Sequence, residues 1–228
     1  MKNVKKAIAL VAVIMGVSTA SFAQNGFSVR AGGNFPVGTF GKGDVTDMAL
    51  NSLKSSEFGG AATGFNVGLK YQLSLLGNIS AFASADFFYN GLKSEIKDDL
   101  KAIANLANND DYTVPAYINL PVMAGVNYTI LDIIGTTLWA EAGVGANFRS
   151  ITGTSDDETP YASATTFAWQ VGIGVSVSNA VSLGLHYYGL GASEVDFKSD
   201  NKVTDAMNKL NESKLNPSMV VIRLGYHF

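Results

Sequence analysis

The last ten residues alternate between apolar and polar side chains with a period of two, which is the pattern of a β-strand with two different faces. Val220, Ile222, Leu224, Tyr226 and Phe228 fall on one face, and Val221, Arg223, Gly225 and His227 fall on the other. A strand of about 9–11 residues crosses a bilayer at the tilt that barrels adopt. An apolar outer face that ends in aromatic residues is typical of a transmembrane β-barrel. The same alternation also fits an ordinary strand of a soluble domain, so this segment alone leaves both alternatives open.

The first 23 residues have the pattern of an export signal. Lys2, Lys5 and Lys6 form a basic start, and an apolar run from Ala7 to Val17 follows. This run of about 11 residues is shorter than the roughly 20 that a membrane-spanning helix needs. Small residues at Ser21-Phe22-Ala23 then predict cleavage before Gln24. We therefore expect a signal peptide over residues 1–23 and one barrel domain over residues 24–228.

Composition narrows the classes of function. The chain has 16 basic and 19 acidic residues, and removal of the three lysines of the signal leaves 13 basic residues and a net charge of −6. Such a balance argues against a nucleic acid as partner, because binding to phosphates relies on a basic patch. The sequence contains no cysteine, so it offers neither a disulfide nor a site for lipid attachment.

Alternating runs between turn signals predict eight strands. They are Phe27–Phe35, Thr63–Ser74, Ile79–Tyr89, Tyr117–Tyr128, Leu138–Phe148, Thr165–Val177, Val181–Gly189 and the C-terminal strand. The third has phenylalanines on both faces and is therefore ambiguous in register. The less costly assignment turns Asp86 inward and Phe87 and Tyr89 outward.

The distribution of charges and loops favours a membrane barrel over a soluble sandwich. The few charges inside the strands can all be placed on inward faces, whereas aromatic residues collect near the ends of the outward faces. Short links near 75–78, 129–136 and 178–180 alternate with long ones near 36–62, 90–115, 149–164 and 190–217. Outer-membrane barrels have short periplasmic turns and long external loops, and an even number of strands reproduces this order. The predicted fold is an all-β, eight-stranded, antiparallel, up-and-down transmembrane β-barrel with short helices in external loops.

The chain resembles the small outer-membrane barrels of the OmpA/OmpX type, and especially the outer membrane protein beta-barrel domain or porin-family proteins of Bacteroidetes. The residues that carry the resemblance are Arg30-Ala31-Gly32-Gly33-Asn34-Phe35-Pro36, Tyr117-Ile118-Asn119-Leu120-Pro121-Val122 and Leu224-Gly225-Tyr226-His227-Phe228. The resemblance implies an outer-membrane location in a Gram-negative cell, contact with membrane lipid, and recognition of Leu224, Tyr226 and Phe228 by the barrel-assembly machinery. It implies a fold rather than an activity.

The inward polar residues predict a network that fills the lumen. An eight-stranded barrel is only wide enough for side chains or one small ligand. The predicted members are Arg30, Lys70, Asp86, Glu141, Gln170, His186 and Arg223. Burial of unpaired ions costs several kcal/mol each, so we expect these charges to be paired. A proton or ion path is the alternative, because inward glycines leave room either for large neighbours such as Trp139, Tyr117 and Tyr188 or for a narrow cavity.

Catalysis and metal binding have little support in the sequence. A lipid-modifying barrel enzyme needs a histidine with a serine and a carboxylate close together. His186 and His227 are the only histidines. Tyr187 and Tyr188 follow His186, with no nearby serine or carboxylate in the same segment, and His227 lies at the periplasmic end by this topology. No cofactor is predicted, and a zinc site is not expected. Asp156-Asp157-Glu158 offers oxygen ligands for Ca²⁺, although adjacent acids are usually only a solvated loop.

Two of the long loops have helical apolar patterns, over Ser94–Leu106 and over Lys202–Leu210. Their apolar stripes need cover, either from each other as a lid or from an unknown extracellular partner. We therefore predict a monomeric, non-enzymatic barrel with a structural role or a surface interaction role carried by its loops. A narrow porin-like channel is the second hypothesis, and a lipid-modifying barrel enzyme is the third.

Overall fold

A computed structural model describes residues 26–42, 59–98, 116–152, 162–178, 180–194 and 214–228, and eight of its strands close into an antiparallel barrel. The strands are β1 (Gly26–Val37), β2 (Gly64–Leu76), β3 (Ile79–Asn90), β4 (Ala116–Ile133), β5 (Thr136–Thr152), β6 (Ala162–Val177), β7 (Val181–Gly189) and β10 (Ser218–His227). Their order around the barrel is β1-β10-β7-β6-β5-β4-β3-β2. The predicted fold class is therefore confirmed, with every predicted strand present.

The first and last strands close the barrel. β1 pairs with β10 in an antiparallel register from Ser28 opposite His227 to Val37 opposite Ser218. The pairing continues beyond the strand, because the Phe228 N–H donates to the Phe27 carbonyl oxygen at 2.9 Å. Closure gives every barrel strand two neighbours and leaves no unpaired edge, which is one of the two ways in which a chain can satisfy its backbone groups in lipid.

Burial alternates along the strands in the sense opposite to that of a soluble protein. On β6, Val171 and Ile173 are 46% and 56% exposed on the outer face, whereas Gln170 is 1% exposed inside. The ambiguous third strand follows the same rule, since Asp86 is buried in the lumen and Tyr89 lies on the exposed outer face. The apolar outer surface and the polar interior are the arrangement of a barrel that is surrounded by lipid.

Three tight turns join strands at one end of the barrel, at residues 77–78, at residues 134–135 and between Val177 and Val181. β4 and β5 extend further than the sequence predicted, so the expected link at 129–136 shrinks to Ile134 and Gly135. The physical reason is a shift of register between Thr129 and Leu131, which interrupts the period-2 pattern without ending the pairing. Both turn residues have positive φ angles, of 37° and 75°.

The described helices are short. A one-turn helix, α1 (Gly38–Gly41), follows β1, and residues 94–98 at the start of the predicted helix Ser94–Leu106 are helical. No helix in the described part of the chain is long and apolar enough to cross a membrane. β8 (Ser193–Glu194) and β9 (Lys214–Leu215) pair as a two-stranded ribbon, which the sequence did not predict. The predicted signal peptide, the helix Lys202–Leu210 and the acidic cluster at 156–158 lie outside the described residues.

Candidate functional site in the barrel lumen

Asp86, on β3, is the centre of the first half of the lumen network. Its two carboxylate oxygens each accept a hydrogen bond from Arg30 Nη2 at 3.0 Å, and Oδ1 also accepts one from Arg223 Nη1 at 3.2 Å. The Tyr188 hydroxyl donates to Oδ2 at 3.3 Å. Gly68 makes room for this carboxylate, because a Cβ at that position would overlap Asp86 Oδ1. One carboxylate thus joins side chains from β1, β3, β7 and β10.

Glu141, on β5, is the centre of the second half. Oε2 lies 2.5 Å from Lys70 Nζ, and Oε1 lies 3.0 Å from His186 Nε2. Gln170 Nε2 donates to Oε1 at 3.3 Å, and Arg30 Nη1 lies 3.7 Å from the same oxygen. Arg30 therefore connects the two halves, so that the network crosses the whole lumen.

The structure brings together all seven residues that the sequence placed in the lumen. Each of them is at most 5% exposed: Arg30, Lys70, Asp86, Glu141, Gln170, His186 and Arg223. Sequence reasoning did not single out Asn127, whose Nδ2 lies 3.5 Å from Glu141 Oε2. Tyr188 was named only as a bulky neighbour, because a tyrosine in an alternating strand gives no sign that its hydroxyl meets a carboxylate.

Aromatic rings cover two of the three cations of the network. The Arg223 guanidinium lies 5.1 Å from the centre of the Tyr188 ring and 5.6 Å from that of Phe88. Lys70 Nζ lies 4.7 Å from the Phe82 ring and 5.5 Å from the Trp139 ring. Such contacts stabilise cations that burial has removed from water.

An apolar cluster closes the end of the lumen that faces the long connections. Phe88 and Tyr188 meet edge to face at 5.0 Å, and Phe40 of α1 meets Tyr117 at 5.1 Å. The cluster, here called the outer plug, comprises Phe40, Ala61, Phe88, Tyr117, Met123, Ile151, Ala168, Tyr188, Leu190, Leu215, Met219 and Val221, and Phe82 extends it to the level of Lys70. The charged network therefore lies below a cluster of buried apolar side chains.

Polar side chains at the same end hold the bases of the long connections. Arg149 donates to the Ser193 hydroxyl at 2.8 Å and to the carbonyl oxygens of Gly191 and Leu215 at 2.7 and 3.0 Å. The Tyr117 hydroxyl donates to the Gly59 carbonyl oxygen at 2.5 Å. The sequence analysis missed Arg149 because it ended the fifth strand at Phe148, one residue too early to include it.

Each histidine has a partner that lies on another strand. His186 contacts Glu141, and His227 Nε2 lies 2.9 Å from the Ser182 hydroxyl oxygen. The sequence could not reveal these partners, because 45 residues separate the members of each pair. Within the described residues, no group of three or more His, Cys, Asp or Glu side chains is placed to hold a metal ion.

The lumen widens between the network and the tight turns. A cavity of about 610 Å³ lies there, here called the vestibule. Arg30, Lys70 and Glu141 line it on the side of the network, and Ser28 and Ser182 contribute hydroxyl groups to its wall.

The three C-terminal residues predicted to guide assembly point away from the lumen. Leu224, Tyr226 and Phe228 are 60%, 53% and 76% exposed. The rings of Tyr226 and Phe228 meet edge to face at 5.1 Å. They form one continuous apolar surface on the last strand of the barrel.

A closed eight-stranded barrel with an apolar exterior and a polar, charged interior defines a small outer-membrane barrel protein. Residues 9–228 match the family described as Outer membrane protein beta-barrel domain, and the chain belongs to that family. The protein is accordingly located in the outer membrane, in contact with its lipid.

Several solved structures have a similar fold. Neisserial surface protein A (NspA) is 11% identical with a TM-score of 0.50, over 90% of this chain and 97% of that one. The Yersinia pestis outer membrane protein Ail is 14% identical with a TM-score of 0.45, over 90% and 100%. OprG from Pseudomonas aeruginosa is 11% identical with a TM-score of 0.44, over 90% and 96%. No curated protein matches the sequence. At these identities the likeness to NspA shows the fold alone.

Proposed function

We propose that this protein is a closed, non-conducting outer-membrane barrel that acts through the long loops it presents at the cell surface. The outer plug carries the proposal. Four of its side chains are fully buried and come from opposite sides of the barrel wall. They are Phe40 from α1, Phe88 from β3, Tyr188 from β7 and Met219 from β10. An ion that crossed the lumen would have to pass both the outer plug and the paired charges beneath it.

The lumen network supports a structural role for the interior. Arg30 and Asp86 are paired at 3.0 Å, and Lys70 and Glu141 at 2.5 Å, so the fixed charges are engaged with one another. Removal of one partner from such a pair leaves a buried charge without compensation, which is strongly destabilising. A barrel held in this way is a rigid base for loops.

Single-channel recording in planar bilayers tests the closed barrel. The wild-type protein should give no steady conductance steps, and neither should Phe87→Ala, in which a ring of the outer face is removed. Phe88→Ala combined with Met219→Ala removes part of the outer plug and should produce openings. Reproducible steps from the wild-type protein would overturn the proposal in favour of the narrow channel.

We further propose that the protein is not an enzyme. His186 is buried in the lumen against Glu141, away from the lipid-facing surface. His227 contacts Ser182, but no carboxylate in the described residues forms an ion pair with His227. The triad of nucleophile, base and orienting acid is therefore incomplete at this site. His186→Ala and Ser182→Ala should each leave the lipid composition of the outer membrane unchanged by mass spectrometry. A changed acyl pattern would restore the enzyme hypothesis.

The remaining proposals concern assembly. We propose that Leu224, Tyr226 and Phe228 are the residues that the barrel-assembly machinery recognises, because they present an exposed apolar surface on the strand that closes the barrel.

We also propose that the protein is a monomer, since barrel closure leaves no strand edge with which a second copy could pair. The mass of the protein–micelle complex, measured by light scattering with correction for detergent, tests the second proposal.

A further inference from the structure

The vestibule is a chamber of suitable size for a small ligand. Its volume of about 610 Å³ falls within the range of roughly 300–1,000 Å³ that is usual for small-molecule sites. The outer plug separates it from the long connections, so it opens at the end with the tight turns. By the topology of such barrels that end faces the periplasm.

The ceiling of the vestibule has more positive than negative charge. Among the described residues of the network, the three cations Arg30, Lys70 and Arg223 face only the two carboxylates Asp86 and Glu141. With His186 neutral, one positive charge is left without compensation. Such an imbalance is costly at a site removed from water, and a bound anion would relieve it.

Hydrogen-bond donors of the same cations also lack partners. Arg30 Nε, Arg223 Nε and Arg223 Nη2 are buried and have no hydrogen-bond partner in the described part of the chain. Arg30 and Arg223 line the vestibule, and both are at least nine-tenths buried. Lys70 lines it as well and is 5% exposed.

The wall of the chamber offers neutral donors. Ser28, Gln72, Asn127 and Ser182 contribute hydroxyl and amide groups below the cations. The remaining acidic side chain is that of Asp132, near the turn between β4 and β5, and it is exposed to solvent. The positive charge therefore lies deep in the chamber, and the negative charge at its entrance is screened by water.

We propose that the vestibule binds a small oxyanion, a carboxylate or a phosphate, which enters from the periplasm and sits against Lys70 and Arg30. Charge-assisted hydrogen bonds from Lys and Arg are the usual means by which proteins hold such anions. The site does not involve the long loops. It would therefore add a binding function at the periplasmic end of the barrel, whereas the proposed surface role belongs to the opposite end.

Isothermal titration of the refolded protein in micelles tests the proposal. Sodium phosphate and sodium acetate each replace sodium chloride at constant ionic strength, so that general salt effects cancel. Saturable binding of one anion per barrel is expected for at least one of the two probes, and the probe that binds identifies the class. Absence of saturable binding by either probe would overturn the proposal.

Three variants locate the site. Lys70→Gln removes a cation from the ceiling and should weaken binding by about tenfold or more. Gln72→Trp fills the chamber while leaving every ion pair in place, so it should abolish binding even if Lys70→Gln fails to fold. Lys97→Gln removes the same charge from an exposed position beside the opposite end of the barrel, and binding should be unchanged. Equal binding by wild type and Gln72→Trp would show an adventitious ion only.

Discussion

Arg30 and Asp86 are joined across the inside of the barrel, between strands that are not neighbours in the sheet. Arg30 Nη2 on β1 lies 3.0 Å from both carboxylate oxygens of Asp86 on β3, with β2 between the two strands. The contact therefore joins β1 to β3 directly, which the backbone hydrogen bonds of the sheet do not do. It also fixes Asp86 where it meets Arg223 and Tyr188.

Asp86→Asn should destabilise the barrel strongly. The change leaves Arg30 and Arg223 buried with one anionic partner fewer, and we expect a loss of about 3–5 kcal/mol in the free energy of unfolding. Urea unfolding in lipid vesicles, followed by gel mobility of the folded form, measures the loss. Asp132→Asn removes an exposed carboxylate and should change the stability by about 0.5 kcal/mol or less. Equal effects of the two changes would contradict a role for the network in stability.

Gly174→Ala should disturb Trp139. A Cβ at Gly174 would overlap the Trp139 ring and press on the Leu183 carbonyl oxygen, so the ring must move away from its hydrogen bond to the Ser176 hydroxyl at 3.0 Å. We expect a loss of about 1–3 kcal/mol and a shift in tryptophan fluorescence. Gly91→Ala is the control, because nothing lies near its Cβ position. An unchanged spectrum for Gly174→Ala would contradict the packing of this ring in the lumen.

Ile134→Asn should stabilise the turn between β4 and β5. Ile134 is fully exposed and has a φ of 37°, in the left-handed region that a β-branched residue rarely adopts. Asparagine before Gly135 suits such a two-residue turn, and a gain of about 1 kcal/mol is expected in micelles. Ile133→Asn, at an exposed strand position, should give no gain. A loss of stability in Ile134→Asn would show that the isoleucine side chain makes contacts that outweigh its backbone strain.

The direction of insertion can be tested by cysteine labelling, because the chain has no native cysteine. Lys97→Cys lies beside a long connection and should react with an impermeant maleimide in intact cells. Asn78→Cys lies in a tight turn and should react only after the outer membrane has been permeabilised. The reverse pattern would invert the topology and would place the vestibule at the cell surface.

Phe228→Ala should impair assembly in cells more than folding in micelles. The ring is 76% exposed and contacts only Tyr226 among the described aromatic residues, so its loss costs little packing within the folded barrel. A lower yield of folded protein in the outer membrane, with normal refolding in detergent, is the expected result. Phe148→Ala removes another exposed outer ring and is the control. Equal yields for both variants would count against a recognition role for the C-terminal strand.

The sequence by itself determined the barrel and, for most strand positions, the side of its wall on which a residue lies. Strands have a strict period of two, and in β3 the register with Asp86 inward and Tyr89 outward was the less costly of the two that this period allows. The same rule placed all seven network residues in the lumen. It failed locally at Thr129–Ile133, where a bulge breaks the period, and at Arg149, where the predicted strand stopped too soon.

Only the tertiary structure decided which inward residues meet. Arg223 and Asp86 are 137 residues apart in the chain, and their contact depends on the register of every strand around the closed barrel. The outer plug could not be predicted from the sequence either. Its inward apolar residues, such as Phe88 and Met219, are of the same types as the residues that face the lipid. Periodicity assigns each side chain to a face of its strand. The position of that side chain along the barrel axis is set by strand pairing and closure, and this position separates the outer plug, the network and the vestibule.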